Sequence, residues 1–160
     1  MAEFVVEKLK GSAVVVLLFW MLVPIASAQN SEQPIPFERP SGLSCGGPEQ
    51  RTMRVIRNEF GMRRLVRKSR GSKIGSPKVD FRKQMLIVIF QGTQPSSGYG
   101  IRVTELIETF NALRVLIEET APGKSCNVLD AVTHPCDLVV TRRVRKRVVF
   151  EINRRTTDCR

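Results

Sequence analysis

Four sets of side chains in this chain have types that carry chemistry. His134 is the single imidazole, with Asp130 and Asp137 on either side of it. Glu118 and Glu119 are adjacent carboxylates, and Cys45, Cys126, Cys136 and Cys159 are the four thiols. Arg142, Arg143, Arg145, Lys146 and Arg147 form a cationic run, with Arg154, Arg155 and Arg160 just beyond. A general base needs a positioned partner, and nothing in the sequence sets a nucleophile beside His134. Its place before Pro135 biases it towards an extended turn. Glu118 and Glu119 point to opposite faces of a strand, which makes them a poor acid–base pair. No G-x-S-x-G elbow, H-E-x-x-H helix or phosphate-binding loop is present. The residues therefore predict a protein that is not an enzyme and needs no cofactor.

The cysteines point to crosslinks. There is no C-x-x-C pair and only one His, which disfavours zinc. An even count in an exported chain reads as disulfides, and four cysteines allow three connectivities. Cys126 and Cys136 are close in sequence and flank a candidate strand over residues 128–133, so that pair is favoured. Cys45 is then left for Cys159, closing a loop over most of the domain. Chain-entropy models give such a bond about 4–5 kcal/mol.

Export is read from the N-terminus. Lys8 and Lys10 precede an apolar stretch over residues 13–25, and Ala26-Ser27-Ala28 supplies an A-x-A cleavage pattern. The stretch is shorter than the ~20 residues of a spanning helix. Residues 1–28 are thus expected to be a signal peptide, cleaved near Ala28, and the product to be secreted or held in the periplasm or cell envelope. The leader contains Glu3 and Glu7 as well as Lys8 and Lys10, so the mature chain keeps the whole net charge of +11. Roughly 130 residues remain, enough for one domain with a real core.

The positioning elements follow from periodicity. Residues 29–50 are rich in Pro and Gly and read as a flexible leader, with the domain proper over 51–160. Residues 52–57 read as a strand. Over 59–68, Phe60, Met62, Leu65 and Val66 are spaced for one helical face. Residues 69–78 form a polar loop. The apolar run 85–90 is short, rich in Ile and Val and followed by Gly92, which favours a buried strand. Residues 99–118 fit either a helix face or alternating strands. Residues 128–133, 138–141 and 147–152 are short and β-rich. The fold class is α+β, a mostly antiparallel β domain with one short packed helix.

Gly92, Gln94, Pro95, Ser96, Ser97, Gly98 and Tyr99 form a loop directly after the strand at 85–90. Loops held on rigid strands are where binding surfaces concentrate. V-D-F at 79–81, the strand to Phe90, G-T-Q-P-S-S-G-Y at 92–99, A-P-G-K-S-C at 121–126, T-H-P at 133–135 and V-V-F-E at 148–151 occur in this order. The set resembles the C-terminal domain of the protease complex subunit PrcB family, over residues 53–152. Ser97 stands where that family often has Gly, and the basic run replaces a short linking turn. The resemblance favours strands over 99–118. It implies an extracytoplasmic, non-enzymatic domain whose partner is an extracytoplasmic protein such as a protease.

A narrower similarity links Q-P-S-S-G-Y at 94–99 to the N-P-T-T-G-Y loop of chagasin-type cysteine-peptidase inhibitors. Peptidase inhibition through this loop is the alternative it implies. The basic run offers another, binding to an anionic envelope surface or polymer. Nucleic acid is disfavoured as a partner: stacking needs exposed aromatics beside the cations, and the one close in sequence, Phe150, is expected in the core.

Overall fold

A computed structural model describes residues 32–40, 48–68 and 78–159. The signal-peptide reading of residues 1–28 and most of the 69–78 loop lie outside the described residues. The elements are β1 (Gln33–Pro34), β2 (Phe37–Glu38), β3 (Thr52–Ile56), α1 (Glu59–Lys68), β4 (Gln84–Phe90), β5 (Gly100–Glu108), β6 (Ala112–Pro122), β7 (Cys136–Arg142) and β8 (Arg147–Thr157).

They build two four-stranded sheets, β1-β5-β6-β8 and β2-β7-β4-β3. The key strand is β4, which lies between β7 and β3. Its side chains alternate between two cores. Met85, Ile87 and Ile89 face the other sheet, where Val103, Leu106, Leu113, Val115 and Ile117 meet them. Leu86, Val88 and Phe90 face outward and are covered by Met62 and Leu65 of α1. A strand buried on both faces must be apolar at every position, which explains the unbroken 85–90 run. The layers are therefore sheet, sheet and helix, matching the expected α+β class.

The helix starts where Asn58 caps it, its Oδ1 accepting from the Gly61 N–H at 2.8 Å. Its docking face is narrower than the spacing predicts. Met62 and Leu65 are buried, whereas Phe60 and Val66 are exposed. The helix lies on one sheet only, so a single ridge suffices.

Strands replace the helical alternative over 99–118. β5 and β6 pair antiparallel, with a bulge between Val103 and Glu105. One pairing departs from the antiparallel expectation: β8 runs parallel to β6, from Ala112↔Arg147 to Pro122↔Thr157.

The flexible-leader reading is corrected over 33–38. Gln33 and Pro34 pair with β5, and Phe37 and Glu38 pair with β7, so this segment crosses from one sheet to the other. Ile35, between the two contacts, is buried in the inter-sheet core. Apolar anchors at Ile35 and Phe37 outweigh the Pro-rich composition.

The favoured disulfide pairing is also corrected. Cys126 is bonded to Cys159, with a Cα–Cα distance of 4.7 Å. The parallel register brings Pro122 beside Thr157, and the Gly123 N–H donates to Thr157 O at 2.8 Å. The following turn, closed by Cys126 N to Gly123 O at 3.0 Å, delivers Cys126 to the end of β8. Cys136 instead begins β7 in the other sheet, opposite Phe90. Ten residues of chain thus separate the two thiols onto different layers. Cys136 is disulfide-bonded too, and Cys45 lies outside the described residues. The strand expected over 128–133 is absent. Only an isolated bridge, Gln94↔Thr133, forms there.

Candidate interaction surface

The loop after β4 is held by short-range geometry and by a second loop. Gly92 and Gly98 both have φ of +88°, a region that favours glycine. A Cβ at Gly92 would stand 2.8 Å from Glu49 O and 2.9 Å from Arg51 N, so the loop base is closed against backbone. The Thr93 N–H donates to Glu49 O at 2.8 Å, and Gln91 N donates to Pro135 O at 2.9 Å.

Beyond Gly92 the loop is zipped to residues 127–135. Gln94 and Thr133 exchange backbone hydrogen bonds at 2.9 and 3.0 Å. The Thr133 hydroxyl donates to Ser96 O at 2.9 Å. Ser97 N donates to Leu129 O at 3.0 Å, and Ser97 Oγ accepts from Leu129 N at 2.8 Å. The hydroxyl of Ser97 is thereby engaged in joining the two loops. Thr93 Oγ1 and His134 Nε2 lie 3.2 Å apart, which places His134 in the structural framework of this end. Tyr99 is half-buried, and Pro95 is exposed.

The second loop adds residues that the sequence reading did not single out as contacts. Leu129 is 74% exposed and Val132 is 66% exposed. Together with Pro95 they give an apolar rim on two mutually bonded loops. The one signal in the sequence is that Val128, Leu129 and Val132 fit no clean period of 2.

Under the loop base, Glu119 is buried beside Arg51, whose Nη2 donates to Oε2 at 2.8 Å. Arg154 Nε reaches the same oxygen at 3.3 Å. Gln91 and Gln94 share this depression with them.

The cationic residues stand at the opposite end of the strands. They occupy the turn between β7 and β8, fastened by the buried Val144. Arg57 donates from Nε to Val144 O and from Nη2 to Lys146 O, each at 3.3 Å. Glu108 receives Arg142 and Lys146, the latter at 2.8 Å. Lys146 Nζ also donates to Thr109 O at 2.6 Å, and Arg143 Nη1 to Phe81 O at 2.7 Å. The hydrogen bond from Lys146, joined by Arg142, holds the Glu108 carboxyl below its ordinary range against the opposing push of burial. Arg145 and Arg147 are exposed and make no ion pair among the described residues. An eleven-residue strand such as β6 separates the loop end from the cationic end by roughly 35 Å.

No curated protein and no solved structure matches the chain. A family model described as PrcB C-terminal matches residues 85–142. The match runs from the first buried residue of β4 to the end of β7 and takes in both zipped loops. It leaves out residues 53–84 and the V-V-F-E element at 148–151, so it is shorter than the resemblance drawn from motif order. Within these limits the resemblance is borne out: residues 85–142 match the PrcB C-terminal family model.

Proposed function

We propose that this chain is an exported, non-catalytic interaction subunit that steadies an extracytoplasmic protease complex, as its likeness to the PrcB family implies. The contact surface is the end formed by residues 92–99 and 127–133. The observation that carries this reading is the exposure of Leu129 and Val132 on a loop hydrogen-bonded along its length to the 92–99 loop. Exposed apolar side chains on a pre-ordered backbone lose little entropy on binding. They also suit the apolar centre of a protein–protein contact.

The test is affinity capture from the native secretome. The wild-type protein is run beside a Leu129→Glu, Val132→Glu variant and a Pro95→Ala, Tyr99→Ala variant, each checked for an unchanged thermal transition. Capture of a protease or protease subunit by the wild type, lost in both folded variants, supports the proposal. Capture that both variants retain places the contact elsewhere, and elution of the wild type as a partner-free monomer from native extract removes the reading.

A further inference from the structure

The end remote from the zipped loops carries its own surface. Phe110 is 86% exposed at the tip of the β5–β6 hairpin. The tip is rigid: Thr109 N donates to Ala112 O at 2.8 Å, and Thr109 Oγ1 accepts from Ala112 N at 3.1 Å. An aromatic ring held out on a closed turn does not fold back into the core. Around it lie the cations of the β7–β8 turn. Lys146 is tied to Thr109 O, Arg142 to Glu108, and Arg147 opens the strand that pairs with Ala112. Arg147 and Phe110 line one depression. The acidic groups in that depression, Glu32 and Glu151, are both engaged by Arg114, at 2.8 and 2.7 Å. The acids of that depression are thus taken up, while Arg143, Arg145 and Arg147 make no ion pair among the described residues and keep positive charge beside it.

An exposed ring flanked by cations fits a surface that is apolar beneath and anionic on top. A bilayer interface has that character, with aromatic rings favoured at headgroup depth and anionic lipids attracting basic residues.

We propose that this end of the domain docks on an anionic phospholipid bilayer, with Phe110 entering the interface and the cations at 142–147 meeting lipid phosphates. The opposite end, one strand length away along β6, stays free for a protein partner.

Vesicle co-flotation tests this with the full disulfide-bonded protein. Two vesicle types are used, phosphatidylcholine alone and phosphatidylcholine with phosphatidylglycerol. Binding to the anionic vesicles is expected, weakening as salt rises. Arg145→Ala with Arg147→Ala should weaken it roughly 30-fold, at about a kcal/mol per cation. Phe110→Ala should weaken it roughly tenfold, the scale of removing a partly inserted ring. Leu129→Glu with Val132→Glu should leave it unchanged, which separates this surface from the protein contact. No flotation at low salt, or equal binding to uncharged vesicles, overturns the proposal. It is equally overturned if Phe110→Ala binds as tightly as wild type while polyphosphate competes fully, since the site is then one for soluble polyanions.

Discussion

The Arg39 guanidinium grips the Asp137 carboxylate through two nitrogens, Nε to Oδ1 at 3.2 Å and Nη2 to Oδ2 at 3.1 Å. Asp137 Oδ2 also accepts from Val103 N at 2.8 Å, and Arg39 Nη2 donates to Val103 O at 2.6 Å. Asp137 belongs to one sheet and Val103 to the other, so one buried carboxylate and one arginine tie both sheets to the N-terminal crossing segment. Asp137→Ala strands a buried N–H and an arginine together and should cost about 3 kcal/mol. Arg39→Ala should cost less, about 1–2 kcal/mol, because its side chain is part-exposed. Urea midpoints measure both, and equal small losses would refute the bridging role.

Glu108 should make stability fall in acid. Its folded pKa is lowered, chiefly by the hydrogen bond from Lys146. The ionised form is therefore favoured by folding. That contribution is complete above the unfolded value of about 4.3 and is lost as pH drops through the depressed folded value. The Tm gap between wild type and Glu108→Gln should be steady above about pH 5 and close in stronger acid. A gap that persists unchanged in strong acid would assign the loss to packing.

The Cys126–Cys159 bond closes a sequence separation of 33 residues. Chain-entropy models give that closure about 3–4 kcal/mol. Cys126→Ser with Cys159→Ser should lower stability by up to that amount and loosen the ends of β6 and β8. Non-reducing digestion should yield a peptide pair joining 126 to 159. A pair joining 126 to 136 would contradict the parallel register.

Two glycines should differ. Gly98→Ala places a Cβ at φ +88°, 3.1 Å from Pro122 Cβ, and should cost about 1–2 kcal/mol. Gly92→Ala has the same φ, but its Cβ meets backbone atoms at 2.8 and 2.9 Å, which cannot rotate away. Its cost should exceed that of Gly98→Ala, at about 3 kcal/mol. Thermal unfolding of the two variants compares them directly, and a reversed order would mean that residues 49–51 yield.

Much of the fold is legible because local patterns agree with tertiary demands. The two-faced burial of β4 requires the apolar run 85–90, and Met62 and Leu65, at helical spacing, are the face on which α1 docks. Legibility fails where the backbone breaks its period. In β5, Ile101 and Val103 face the core, but the bulge between Val103 and Glu105 brings Leu106 inward, three residues on. A strand step of two followed by three imitates helical spacing. The pairing of cysteines was equally hidden, because it depends on β8 running parallel to β6, a partnership between distant segments that no local signal carries. The apolar rim at Leu129 and Val132 depends on the zipping of two loops, again a non-local event.

The parallel β8 also sets an order of assembly. It is the outermost strand of its sheet and pairs along the whole of β6, from Ala112 to Pro122. A ribosome that has released everything up to residue 146 has delivered an open template, the uncovered edge of β6. Completion awaits residues 147–157, after which the 126–159 crosslink acts as a latch. Premature termination before β8 would therefore yield a sticky intermediate prone to self-association, whereas the finished edge carries Arg154 and Arg155 as guards against it.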